Sequence, residues 1–394
     1  MRHTMKPPHI PTGEHAAPQA AARGDGRADA RGVRGRLGRG RRALRRRARL
    51  AAGLAIVASF YAVALLASFL APYDIREQSR GEPSAPATVV RFVDAQGRFH
   101  PRPFVHARRL TDPLARAYEE DTSRRYPLAL FVRGYRHKLL GLFETDRHLF
   151  GVAAAEAHGA GVPRVNLLGT DELARDRFSR LLSAARFSLV VGPAGTLLAS
   201  LLGVLVGCVS GYAGRRVDAV LMRAADAMMA LPALVLILAA RAAFPDELPP
   251  ARAAVLLVSI FVALGWAEMA RLARGLVLEL RSREFVVAAR SLGMTEARVL
   301  FRHILPNAAR PLVVQASLML PAFLLAETAL SYLGVGVQDP AASWGNMLTQ
   351  AGSLSNLRAH PFLLLSPAFA ISLYVLGVRL LSDGLREDRA RASF

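Results

Sequence analysis

Phe187-Ser188-Leu189-Val190-Val191-Gly192-Pro193-Ala194-Gly195-Thr196-Leu197-Leu198-Ala199-Ser200-Leu201-Leu202-Gly203-Val204-Leu205-Val206-Gly207-Cys208-Val209-Ser210-Gly211 contains no charged side chain. As a helix this stretch measures about 37 Å, more than the roughly 30 Å hydrocarbon core of a bilayer. Comparable stretches occur at Leu50 to Leu70, ending at Ala71-Pro72, and at 217–243, 251–271, 311–333 and 361–382. The charge lies mainly between them. The expectation is an all-α polytopic membrane protein with six transmembrane helices.

The whole chain is 52% hydrophobic and 21% charged, which if evenly mixed would suit a soluble protein, so the distribution decides. About half of the net charge of +21 sits in residues 1–50, where Arg41-Arg42 and Arg45-Arg46-Arg47 lead into the first apolar stretch. Such residues set topology and attract anionic lipid, so membrane lipid rather than nucleic acid is the expected partner. The single cysteine, Cys208, excludes an intrachain disulfide. A cleaved signal peptide competes for the first stretch, but the basic leader is too long and the apolar run exceeds a signal core.

Four regions result: a disordered basic cytoplasmic tail at 1–47, a first transmembrane helix at 48–72, an insert at 73–165, and a core at 166–394 with five further spans. In the insert, Thr88-Val89-Val90-Arg91-Phe92-Val93 precedes the turn signal Asp94-Ala95-Gln96-Gly97, and 128–132 and 138–143 also read as strands. A small β-rich domain is expected. Arg215-Arg216 and the long basic connection 271–310 contrast with Pro245-Asp246-Glu247 and with a loop whose only base is Arg358. The arginine bias places both termini in the cytoplasm and the insert outside.

Residues 284–306 form the most informative connection. Two short helices are predicted, joined at Gly293, with Phe285, Ala289 and Leu292 on one face of the first. Thr295 is placed to cap the second, Ala297, Leu300, Phe301 and Ile304 line one of its faces, and Pro306 is expected to end it. A cytoplasmic helix–turn–helix of this kind either lies in the membrane plane or plugs into a partner's groove.

Val287-Ala288-Ala289, then Gly293, then His303-Ile304-Leu305-Pro306, resembles the EAA loop of ATP-binding-cassette importer permeases. The ending Arg302-His303-Ile304-Leu305-Pro306-Asn307 is similar to the version in the dipeptide, oligopeptide and nickel branch. Val287 and His303 stand where the general pattern has Glu and Ile. Leu168-Gly169-Thr170-Asp171 through Arg180, continuing to Ala185-Arg186-Phe187-Ser188-Leu189, also resembles that branch, with Ala174 and Ala184 in place of usual glycines. Further likenesses are Glu327 to Gly336, Ser343-Trp344-Gly345, and Leu381 to Arg386. Residues 126–151 look like an insertion found in a subset of these permeases.

The resemblance implies a permease subunit that couples to separate nucleotide-binding ATPase subunits through Ala288, Ala289, Gly293, Arg302, Leu305 and Pro306. It also implies a second, different permease, an extracytoplasmic solute-binding protein and an inner-membrane location. No cofactor is expected. Lys6 and Lys138 are the only lysines and neither sits in a Gly-Lys-Ser/Thr phosphate loop, so ATP hydrolysis falls to a partner. The chain is not expected to be an enzyme.

Glu327, Asp171, Arg175 and Asp176 are candidates for the pathway or its gating. Ionisable groups in spans are expensive and tend to be functional, although a structural hydrogen bond is as good an account of Glu327. Asp226 reads as a local partner of Arg223, and Pro232 as a tolerated kink. Arg175, Asp176, Arg180 and Arg186 suggest the polar face of an interfacial helix opposite Phe178, Leu181, Leu182 and Ala185, with the delivery protein as its sharper partner. His100, His106, His137, His148 and His158 show no ligand spacing and read as solvated surface. An ion-gradient-driven secondary transporter is the alternative; it predicts midspan charges and repeat symmetry, of which the spans offer little.

Overall fold

A computed structural model describes residues 47–79, 81–114, 116–153, 162–242, 248–351 and 361–386. The tail 1–46, Pro245-Asp246-Glu247, Arg358 and His158 lie outside the described residues. Among the described residues, five helices are long and apolar enough to cross a membrane. They are α1 (Arg47–Leu65), α3 (Arg177–Tyr212), α6 (Pro250–Leu280), a continuous helix Glu296–Tyr332, and α11 (Phe362–Arg386). A short α2 (Ala67–Leu70) extends α1.

The predicted span 217–243 is divided into α4 (Arg215–Ala230) and α5 (Ala233–Ala242). Pro232 does more than kink it: Leu231 is extended, at φ −83° and ψ 133°. A residue before proline is pushed out of the helical region unless packing holds it there. Ala230 to Ala233 are exposed, whereas Pro321 and Pro367, inside unbroken helices, are buried. At Pro232 the exposed surroundings offer nothing to hold the preceding residue in the helical region.

Pro306 corrects the expectation in the opposite sense, because no helix ends there. α8 (Glu296–Val299) passes through a π turn, Leu300–Ile304, into α9 (Leu305–Tyr332). The widened turn lies where the proline ring would meet the carbonyl four residues back.

The closest packing joins α3 to α6. A Cβ on Gly203 would lie 2.6 Å from Met269 Cβ, and one on Gly207 would lie 2.5 Å from the Ala270 carbonyl. Helices in lipid gain nothing from hydrophobic expulsion, so small residues that bring two backbones together supply the contact. A second core joins α1, α3, α9, α10 (Trp344–Thr349) and α11 around Leu189, Leu324, Trp344 and Tyr374. Phe60 meets Trp344 and Tyr374 edge-on, with ring centroids 5.7 and 5.6 Å apart. Arg186 caps the end of α1 by donating to the carbonyls of Ala64 and Leu65.

The insert holds a four-stranded antiparallel meander: β1 (Arg91–Val93), β2 (Phe99–Asp112), β3 (Ala117–Leu139) and β4 (Phe143–Val152). The predicted turn closes β1 on β2, with Asp94 Oδ1 accepting from the Gln96 and Arg98 amides and Gly97 at φ +78°. The strand read at 138–143 is instead the end of β3, a tight turn, and the start of β4. Two histidines correct the solvated reading: His148 is fully buried and His106 is 6% exposed. His148 stacks on Tyr135 and His137 over Gly134, whose missing Cβ would stand 2.5 Å from the ring.

Replacing Gly207 by Val is expected to force α3 away from α6 at a cost of about 1–3 kcal/mol. Thermal unfolding in detergent should show the loss. Gly275→Ala, where nothing lies within 4 Å, should leave the midpoint unchanged or slightly raised.

Candidate functional site

α7 (Glu284–Ser291) ends at Gly293, which at φ +78° occupies the left-handed region. The Met294 amide donates to the Ala289 carbonyl and the Gly293 amide to the Arg290 carbonyl, closing the turn. Nothing lies within 4 Å of where a Gly293 Cβ would be, so the backbone angle alone demands glycine. Arg290 clasps Glu296 across the turn through two hydrogen bonds, of 2.8 and 2.9 Å. Thr295 occupies the cap position of α8 without a side-chain cap bond, contrary to expectation.

The two predicted apolar faces are each split. Val286, Ala289, Val299 and Ile304 are buried against Cys208 of α3 and Val277 of α6. Phe285, Val287, Leu292 and Phe301 remain 42%, 51%, 84% and 69% exposed. Of the candidate coupling residues, Ala289 is buried, Leu305 half-buried, and Ala288, Gly293, Arg302 and Pro306 are exposed. Arg281 also donates to the Gly211 carbonyl, at 2.8 Å. The loop is thus rooted in α3 and α6 while presenting an apolar rim.

At the opposite end of α3, charged residues read as a polar surface prove to be buried. Asp171 accepts from the amides of Leu173 and Arg175 and pairs with Arg175 Nε at 2.8 Å. Arg175 and Arg180 both reach Asp339, at 3.0 and 2.7 Å. Arg177, absent from the sequence-derived candidates, donates to Gln350 Oε1 and to the Leu363 carbonyl, each at 2.7 Å. This cluster ties the start of α3 to Asp339 before α10, to Gln350 at the end of α10 and to the first turn of α11. The interfacial-helix reading fails here, since Arg175, Asp176, Arg177 and Arg180 are each no more than 3% exposed.

Burial pushes the Asp176 carboxyl up to about 6, although Ser179 hydrogen bonds to it pull the other way. Partial burial raises Asp339, but Arg180 and Arg175 outweigh it and hold that carboxyl below the usual range. Ala174, at φ +59°, sits in the left-handed region and carries a side chain that this geometry disfavours.

Glu327 is fully buried, accepting from Ser188 and Ser331 hydroxyls at 2.9 and 2.8 Å. Asp226 does not pair locally with Arg223; it meets Arg271 of α6 at 2.5 Å. About two turns earlier on α4, Asp218 meets Arg274 at 2.5 Å. These two α4–α6 pairs, with Met222 and Arg223, line a cavity of about 500 Å³. Hydropathy could not single them out, because their partners lie more than forty residues away in sequence.

Residues 203–387 match the family described as the binding-protein-dependent transport system inner membrane component. The oligopeptide transport system permease protein OppC of Bacillus subtilis is 39% identical over 222 residues, covering 56% of this chain and 69% of that protein. The dipeptide transport system permease protein DppC of Alkalihalophilus pseudofirmus is 37% identical over 219 residues, covering 56% and 69%. A solved structure of the MetNI methionine ABC transporter in inward-facing form shares 18% identity over 54% of this chain and 94% of that chain, with a TM-score of 0.40.

Two substitutions in the buried cluster should act in opposite directions. Asp171→Ala leaves Arg175 Nε and two amides without their acceptor while Asp339 still meets the guanidinium, and should cost about 2–3 kcal/mol, seen as a lower unfolding midpoint in detergent. Ala174→Gly relieves the left-handed strain and should raise stability by about 0.5–1 kcal/mol.

Proposed function

This chain belongs to the binding-protein-dependent transport system inner membrane components, and on that premise we propose that it forms half of the translocation pathway of an ATP-driven peptide importer. The protein is a multi-pass permease subunit of the inner membrane. The observation that carries the mechanism is the split loop, whose buried residues grip α3 and α6 while Phe285, Val287, Leu292 and Phe301 face outward. An apolar rim on a short helix is what a groove in a partner recognises. Peptides are the proposed solute because the relatives named above are oligopeptide and dipeptide permeases.

In this reading the helix pair α4–α5 supplies the remaining span, giving six. The arginine bias puts the loop and both termini in the cytoplasm, and the sheet outside. ATP is hydrolysed by separate nucleotide-binding subunits docked on the loop; a solute-binding protein delivers peptide to the outer mouth, and a second permease completes the pore. The family likeness lends nothing to an ion-gradient mechanism.

Motion delivered at Leu292 and Phe301 reaches the helices through Val286, Ala289, Val299 and Ile304, because close-packed interiors transmit displacement rather than absorb it. Ala288, Ala289, Gly293, Arg302, Leu305 and Pro306 are assigned to this coupling device. At the far end of α3 the buried Asp171, Arg175 and Asp176 are assigned to gating, as a clamp on the outer ends of α3 and α11 rather than as contacts for solute. Glu327 belongs with them, fastening α9 to α3. The charged cavity between α4 and α6 suits the terminal ammonium and carboxylate of a peptide, so its Asp218–Arg274 and Asp226–Arg271 pairs are assigned to the pathway.

The double variant Leu292→Asp, Phe301→Asp tests the coupling. Both side chains are exposed, so the bundle should unfold at the same temperature as the parent. Recovery of ATPase subunits on affinity purification should drop about ten-fold or more, with loss of ATP-dependent uptake of labelled peptide in proteoliposomes. Undiminished recovery and uptake would overturn the assignment.

A further inference from the structure

The β3–β4 hairpin ends in Leu139-Leu140-Gly141-Leu142-Phe143, with Leu139 and Phe143 paired across it. Leu140, Leu142 and Phe143 are 48%, 76% and 67% exposed. At the tip Leu140 and Gly141 both adopt positive φ, 54° and 74°. In water such a turn favours Asn-Gly or Asp-Gly, whose polar side chains tolerate the left-handed region. A leucine there, flanked by three more large apolar residues, fits a different solvent.

The position of the tip identifies that solvent. Phe131, farther up β3, packs near Phe69 at the end of α2, with ring centroids 6.1 Å apart. Lys138, Leu140 and Gly141 line a cavity that runs down the helix from Ser68 through Leu65 to Tyr61, with Arg186 and Val190 of α3 on its other side. Between Phe69 and Tyr61 a helix descends about 12 Å. With Arg49 at the inner headgroups, roughly 30 Å of hydrocarbon ends near Phe69. The tip therefore lies below the outer face of the bilayer, beside span residues that also face outward, Leu65 and Val190 being 58% and 60% exposed.

Charge on the hairpin begins where such a placement requires it. Lys138 and Glu144 pair at 3.9 Å one step behind the apolar end, and the exposed Arg136 follows. An apolar end behind a charged collar is the pattern of a segment seated at a membrane interface, with long cationic side chains reaching back to the phosphates.

We infer that the β3–β4 hairpin tip inserts into the outer leaflet, where phospholipid acyl chains cover Leu140, Leu142 and Phe143 and headgroup phosphates meet Lys138 and Arg136. The inserted tip pins the sheet at a fixed height beside α1 and α3. This rests on the membrane fold and its proposed orientation, and not on the identity of the solute.

The test uses the assembled transporter in nanodiscs of phosphatidylcholine and phosphatidylglycerol, with a nitrobenzoxadiazole label on Leu142→Cys. Leu114→Cys, at a position 98% exposed in the β2–β3 connection, serves as the aqueous control, and the unsubstituted chain corrects for the buried Cys208. Retained uptake establishes that each labelled protein is folded. Label at 142 should emit at shorter wavelength than label at 114. Nitroxide groups on acyl chains should quench it about two-fold or more, while aqueous iodide should not. Aqueous emission at 142 would overturn the inference. So would blue-shifted emission indifferent to nitroxide lipids, because a protein surface such as the second permease would then be the cover.

Discussion

The contact between α3 and α6 is the constraint on which the rest depends. Gly203 and Gly207 let the α3 backbone touch Met269 and Ala270 at separations no other side chain would permit. In a bilayer, where burial against lipid and burial against protein are equally apolar, such close contact supplies the attraction. α3 is 36 residues long, about 54 Å as a helix, and so exceeds the membrane at both ends. One end holds the ion cluster around Asp171 and the other receives the coupling loop. The pair is a stiff shaft with an electrostatic fastening at one end and an apolar socket at the other.

The apolar residues of the loop 284–306 divide between two environments. Val286 and Ala289 on α7, with Val299 and Ile304 beyond Gly293, fill the socket. Phe285, Leu292 and Phe301, from the same short helices, stay in contact with solvent. Under the coupling proposed above, the exposed set would meet the partner and the buried set would pass its motion to α3 and α6. The Arg290–Glu296 clasp and the left-handed Gly293 fix the angle between the two halves. The π turn and Pro306 then carry α8 into α9 without a joint.

Charge in this protein follows a simple division. Where it is buried, as at Asp171, Arg175, Arg177 and Arg180, each charge meets a counter-charge, a backbone group or an amide side chain from another segment, and the cluster holds chain segments together. Losing one member leaves others desolvated without a partner, so the arrangement is costly to disturb. Where charge is half exposed, as in Asp226–Arg271, water competes for it and the pair holds less firmly. The strained Ala174 sits inside the buried cluster, held left-handed by its neighbours rather than by its own preference.

Much of this could be read without coordinates. The uncharged run 187–211 fixed a membrane span, because no other environment requires so long an apolar helix. The Gly293 spacing fixed a helix–turn–helix, because only glycine adopts φ +78° without strain, and the turn at Asp94–Gly97 followed from its residue types. Three matters were decided by tertiary structure alone. Pro232 breaks its helix, whereas the buried Pro321 and the exposed Pro306, which follows a π turn, do not. Val286 is an anchor and Leu292 a rim, because periodicity reports that a face is apolar but not what it meets. The arginines from Arg175 to Arg180 are a buried clamp and not a surface, because their partners Asp339, Gln350 and Leu363 lie over a hundred and fifty residues away. Local sequence sets the backbone each segment prefers; which side chains lose their water is settled only when distant segments meet.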